Sequence, residues 1–422
     1  MSNDLSIYSP GEAPVYGRLN KQAAMWLFVC LLIFMNLQTL SITGWVFEQE
    51  ESGVVVKVYQ LILLLSVPVV IYSFRALTKY IPNYIWHWVV WVVFSSIVGY
   101  WIHGFNKLLI NYLLSFIAMF LGVLWGLSLP KEAIIKAIRY TLLVMLAAVY
   151  VKMVVFFDAI LLFFNEPWRE HPYFPMFYGG GPNLEATWIA FFSVFFMSKN
   201  KKWLFYLVWG ACISVAFIYA SRVAIVLNVV TVFLFYFSSY VRRWERQLLI
   251  VLGAVGVMYA AASVDWEAVG EKFVGLQRLL YIGKTEDKGM QGRFELWEAY
   301  PEALRLGWWS GVGAGNTVPV MEKMKEKAFP EDNVHNIYIQ FLSDFGVIGG
   351  MLFLILAANV VKDYLFKDRN NLFLLSLILY LVAGFVQFRG GEPYFYLVLG
   401  LYIGTKYGQS NNQNYSTHST LQ

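Results

Sequence analysis

Charge is what this sequence has least of. Asp, Glu, Lys and Arg make up 14% of its 422 residues, against about 25% in an ordinary soluble domain. Hydrophobic residues reach 59% and the mean hydropathy is +0.55. Such a chain cannot cover itself with polar surface, so a soluble globular fold is excluded and lipid must be its solvent. Cysteine is almost missing. Cys30 and Cys212 both lie inside apolar runs. They offer neither a disulfide framework nor metal-ligand spacing, and read as small packing residues. No phosphate-cradling loop and no dinucleotide fingerprint occur. Gly311-Val-Gly313-Ala-Gly315 resembles part of a glycine-rich loop, but no strand of a βαβ unit precedes it. What is abundant is aromatic: the 16 Trp and 27 Tyr suit rings anchored at two membrane interfaces.

Apolar runs of about 17–25 residues mark membrane-spanning helices. They fall near 24–43, 54–74, 84–102, 108–127, 137–164, 184–198, 203–220, 222–240, 247–262, 336–361, 371–387 and 392–406. The first run follows Arg18 and Lys21 and lacks a small-residue cleavage site, so it is expected to be a span rather than a removed signal. Lys and Arg cluster in alternate loops, for example Arg75 and Lys79, Lys199 to Lys202, and Lys362 to Arg369. The first of the poorer loops carries Glu48, Glu50 and Glu51 instead. That alternation predicts both termini on the cytoplasmic side. The expected fold is an all-α polytopic membrane protein of about twelve transmembrane helices. Residues 1–23 form a cytoplasmic segment, and 24–262 hold nine spans with a smaller outer loop at 165–183. Residues 263–335 form one large outer loop between the ninth and tenth spans, 336–406 hold the last three, and 407–422 form a cytoplasmic tail. The tail is polar and expected to be disordered. The large loop is expected to be structured, because it holds Trp266, Trp297, Trp308 and Trp309 and a helical stretch at 292–306.

Histidine is scarce, with five in the chain. His335 stands out because it ends the large loop and opens the tenth span, in Asp332-Asn333-Val334-His335-Asn336. Asp332 or Asn333 is placed to cap that helix. A histidine in its first turn would feel the positive end of the helix dipole, which favours the neutral, proton-accepting form. A polar residue at a membrane boundary is the plainer alternative. Asn336, Gln340 and Asp344 then recur every four residues, a polar stripe expected to face the bundle interior. Gly346, Gly349 and Gly350 permit close helix contact. Arg222, after Ser221, and Arg278, Arg293 and Arg389 lie on the outer face, against the usual bias. Arginine offers a rigid, permanently charged fork for phosphate; interfacial snorkelling is the alternative. In the smaller loop, Glu166, Glu170 and His171 fit no metal spacing well, and its aromatic rings suit sugar faces or interface anchoring. Lys152 and Asp158 are unusual at membrane depth; they line a cavity or pair with each other.

These residues resemble a known family. His335-Asn336, nine residues, then Gly346-Val-Ile-Gly349 is similar to the H-[N/S/Q]-x9-G-x-x-G signature of the O-antigen ligase and O-antigen polymerase superfamily. Gly292-Arg293, Trp297 and the 311–315 glycine run look like that family's arginine, tryptophan and glycine-rich run, and Ser221-Arg222 like its Ser-Arg at the mouth of a span; Arg278 fits an earlier loop arginine less securely. The resemblance implies a bacterial inner-membrane enzyme with a periplasmic active site and no cofactor, metal or nucleic-acid partner. The donor would be a glycan on undecaprenyl diphosphate. The acceptor would be a sugar hydroxyl, on lipid A-core for a ligase or on another lipid-linked glycan for an O-antigen or exopolysaccharide polymerase. His335, Arg222 and Arg293 would be catalytic, with Arg278, Arg389, Asn336 and Trp297 binding substrate. Of another class, a transporter or lipid flippase also has many spans, but the polar residues here gather at one face and no repeat is evident.

Overall fold

The structure, a computed structural model, describes residues 21–42, 44–45, 55–165, 175–178, 181–238, 240–242, 244–245, 247–248, 251, 255, 288–329, 334–388 and 390–419. In chain order the elements begin with α1 (Lys21–Asn36) and a small antiparallel hairpin of β1 (Leu40–Ser41) and β2 (Gly44–Trp45). Helices α2 (Val58–Leu65), α3 (Val67–Tyr72), α4 (Phe74–Tyr80), α5 (Asn83–His103), α6 (Leu108–Ser128), α7 (Lys131–Val155) and α8 (Phe157–Asn165) follow. Then come α9 (Gly181–Ala190), a 3-10 turn at Phe192–Phe196, α10 (Lys202–Ile218) and α11 (Arg222–Phe237). The segment after α11 supplies α12 (Lys288–Leu306) and α13 (Thr317–Lys325). The chain closes with α14 (Ile337–Phe366), α15 (Leu372–Ala383) and α16 (Pro393–Ser419).

The all-α membrane fold is borne out. Among the described residues, four helices are long and apolar enough to cross a membrane: α5, α6, α7 and α14. A fifth crossing counts if α2–α3 and α4 are one span bent by 82°. Twelve crossings are not found among the described residues, and the reasons are local. Pro68, near the start of α3, has no amide hydrogen to continue the helix before it. The run expected at 137–164 still gives one crossing, α7, which ends at Phe156 before α8. The run expected at 184–198 is α9 followed by a 3-10 turn. Most of 247–262 lies outside the described residues.

Two kinds of packing hold the bundle. On α5, the exposed Val90, Phe94, Ile97 and Trp101 recur at helical spacing and suit lipid, while Ile85, Trp88, Val92 and Ser95 face inward. Helices α6 and α16 pack backbone against backbone. A Cβ on Gly400 would lie 2.0 Å from the carbonyl of Met119, so only glycine allows that approach. The C-terminal end differs from expectation: α16 stays helical to Ser419. Its buried first half has already formed the helix, and each further residue then adds one hydrogen bond for one residue ordered.

Outside the bundle, Leu296, Ala299, Val318, Met321 and Val334 form a small second core, closed by ion pairs from Lys325 to Glu302 and from Lys327 to Glu295. The segment expected to form the large loop is therefore folded over 288–329; Trp266 lies outside the described residues. Lys152 does not pair with Asp158, which is exposed. Its buried partner is Glu185 of α9. Asp158 sits beyond the Phe156 break on α8, so it does not continue the face of α7 that buries Lys152.

Candidate active site

The site begins with a break in α14. Gly346 has φ +67° and ψ −174° inside that helix. At such a point backbone groups lose their helical partners, which is tolerated at membrane depth only where protein supplies others. Here the glycine run does so. The amides of Val312 and Gly313 donate to the carbonyls of Ser343 and Asp344 at 3.0 and 2.8 Å. The Val347 amide donates to Trp308 O at 2.9 Å, and Trp91 Nε1 donates to Phe345 O at 2.8 Å. The approach is too close for a side chain: a Cβ on Gly346 would meet Trp309 O at 2.1 Å. Gly311, Gly313 and Gly315 thus serve as a structural plug and not as a phosphate cradle.

The polar stripe locks the plug. The Asp344 carboxylate is fully buried. It accepts from the Gly315 amide at 2.8 Å, Thr317 Oγ1 at 2.5 Å and Gln340 Nε2 at 2.8 Å. Gln340 in turn accepts from the Val334 amide at 3.4 Å, so the stripe ends one residue before His335. Tyr300 packs nearby in α12. Burial pushes its phenol above the usual range, and the Asp344 charge adds to the shift. It therefore stays a neutral hydroxyl and does not compete as a base.

His335 is not in the first turn of α14. It stands one residue before the cap, with φ +51°, a left-handed conformation that costs an L-residue about 1–2 kcal/mol. The cap is Asn336, whose Oδ1 accepts from the amides of Tyr338 and Ile339 at 3.0 and 3.1 Å. Asp332 and Asn333, expected to cap, lie outside the described residues. Trp297 holds the same turn from α12: its indole Nε1 donates to Val334 O at 3.0 Å.

The turn after α15 gathers the other groups. Gly384 O accepts from the Ile337 amide at 2.8 Å. Phe385 O accepts from Asn336 Nδ2 at 3.0 Å, and Val386 O from Arg293 Nη1 at 3.0 Å. Gln387 Oε1 accepts from Asn183 Nδ2 at 3.4 Å. Asn183 Oδ1 then accepts from the hydroxyl of Ser221 at 2.5 Å, and Ser221 caps α11, which Arg222 begins. Arg293, the cap residue beside His335 and, through Asn183, the Ser221 that precedes Arg222 are thereby tied to one four-residue turn, 384–387. Nε of Arg293 and Nδ1 of His335 are buried atoms that meet no hydrogen-bonding atom among the described residues, although both side chains have other contacts. Arg278 and Arg389 lie outside the described residues, as do Glu166, Glu170 and His171. Among the described residues no group of three or more His, Cys, Asp or Glu could hold a metal ion.

Residues 205–354 match the O-antigen ligase family model. That match supports the O-antigen ligase and polymerase superfamily, the resemblance read from the motifs, and with it a multi-pass membrane protein. It takes in Ser221-Arg222, Arg293, Trp297, the glycine run and His335 to Gly349. The family supports glycosyl transfer of the O-antigen ligase or polymerase type in general, with lipid-linked glycans as substrates. A comparison with curated proteins gave no match. The O-antigen ligase segment leaves out three residues that the structure adds to the site: Asn183, Glu185 and Gln387. Glu185 had a signal in the sequence, a carboxylate within an apolar run. Gln387 had none, since its turn works mainly through backbone carbonyls.

Proposed function

We propose that this protein transfers a glycan from undecaprenyl diphosphate to a sugar hydroxyl of lipid A-core at the periplasmic face of the bacterial inner membrane, without metal or ATP. The observation that carries the reading is the shared 384–387 turn, which ties Arg293, the cap beside His335 and the capped start of Arg222's helix together. His335 takes the proton of the acceptor hydroxyl as its oxygen bonds to the anomeric carbon, a contribution of about 10²–10⁴ in rate. The bond from that carbon to the diphosphate oxygen breaks on the opposite face, which inverts the centre. The charge growing on the leaving diphosphate is met by Arg222 and Arg293, with Arg278, Arg389, Asn336 and Trp297 binding the substrates around them. The driving force comes from the glycosyl–diphosphate bond, which suits a compartment without ATP.

The test is deletion in the host, lipopolysaccharide analysis on a gel, and complementation. Bare core without O-chains indicates the ligase; core carrying a single repeat unit indicates the polymerase, which uses the same donor and chemistry. An unchanged pattern removes both. Donor lipid crossing liposomes without any transfer product would favour a flippase. His335→Ala is expected to insert normally and to restore no ladder, and a restored ladder refutes the base assignment.

A further inference from the structure

Arginine at the start of a helix is aimed by the turn before it. The turn before Arg222 is unusual, because Ala220 has φ +47° and needs outside contacts to stay there. Both contacts come from the first turns of α9. Asn183 takes the Ser221 hydroxyl, and Glu185 Oε1 accepts from the phenol of Tyr219 at 3.2 Å. Glu185 and Tyr219 are wholly buried. The same carboxylate pairs with Lys152 from the last turn of α7, and its Oε2 accepts from the Phe177 amide at 2.6 Å. The Lys152 ammonium also lies over the rings of Phe177 and Tyr219, 4.9 and 5.6 Å from their centroids. One buried carboxylate therefore joins α7, the end of the smaller outer loop and the α10–α11 turn. The two oxygens of this carboxyl take all three donors; a glutamine would present one oxygen.

We propose that Glu185, neutralised by Lys152 and acting through Tyr219, is the positioning residue for Arg222. It fixes where the guanidinium meets the diphosphate. This rests on the reading of Arg222 as a diphosphate ligand.

The experiment uses the full chain reconstituted in lipid with a lipid-linked glycan donor. Glu185→Gln strips Lys152 of its partner and endangers folding, so Tyr219→Phe is the deciding variant. It deletes one hydroxyl and keeps the ring. A misplaced Arg222 loses stabilisation that develops only as the diphosphate leaves. The expected result is a kcat lower by about tenfold, with the donor KM unchanged and the thermal midpoint lowered by only a few degrees. In an Arg222→Lys background, adding Tyr219→Phe should cause little further loss, because both changes act through one group. Wild-type kcat in Tyr219→Phe overturns the proposal, as does a loss that multiplies in the double variant. Wild-type turnover of Arg222→Lys alone would instead remove Arg222 from the diphosphate site.

Discussion

The left-handed backbone at His335 is held by its neighbours, and Trp297 is the one that can be weakened most cleanly. Trp297→Phe keeps an aromatic ring beside Leu296 and Ala299 and deletes the indole N–H that reaches Val334 O at 3.0 Å. Val334 is fully buried, so water does not replace the lost donor. An unsatisfied buried carbonyl costs about 1–3 kcal/mol. That is the same size as the roughly 1–2 kcal/mol of strain in a left-handed L-residue, so the turn loses about as much support as it needs. If the full amount falls on the transition state, kcat drops by about 5- to 150-fold. The assay is initial transfer rate at saturating donor, with protein yield and thermal midpoint as folding controls. His335→Gly is the companion variant. It relieves the strained backbone and removes the imidazole, so it should be at least as stable as wild type and inactive. Full kcat in folded Trp297→Phe would refute the claim that the indole positions the base.

Arg293→Lys should lower kcat by about 10- to 100-fold, because lysine has no planar fork to reach Val386 O and a phosphate together; steady-state kinetics check this. Gly346→Ala should abolish accumulation of folded protein, since its Cβ would lie 2.1 Å from Trp309 O at a φ of +67°; membrane yield after detergent extraction measures it. Lys152→Met leaves Glu185 buried without its counter-charge and should destabilise the protein by about 3–5 kcal/mol. Adding Glu185→Leu to Lys152→Met should recover part of that loss in a thermal unfolding comparison.

Composition decided the solvent, because only 14% of the residues are charged, and apolar runs of helix-spanning length decided the helical class. The chemistry-bearing residues were legible for a different reason: His335, Arg293, Trp297 and the glycines keep fixed spacings along the chain. Where the helices break was not legible. Hydropathy records how apolar a run is, and the break at Gly346 depends on which partner takes the freed backbone groups. The cap was misassigned because Asp332, Asn333 and Asn336 are all competent, and only the turn conformation selects among them. The 384–387 turn was invisible for a deeper reason. Its carbonyls at Gly384, Phe385 and Val386 do the binding, and a carbonyl has no letter in the sequence.

The interruption at Gly346 also bears on how such proteins diverge. Because the amides of Val312 and Gly313 complete the hydrogen bonding of α14, the 288–329 segment and the membrane helix are one unit of inheritance. A chimera that exchanges 288–329 for the equivalent stretch of a distant relative would reopen the helix inside the bilayer unless the facing residues travelled with it. Point changes on the exposed face of α12, at Phe294, Glu298 and Arg305, leave that hydrogen bonding intact, whereas the shuffling of the whole segment does not.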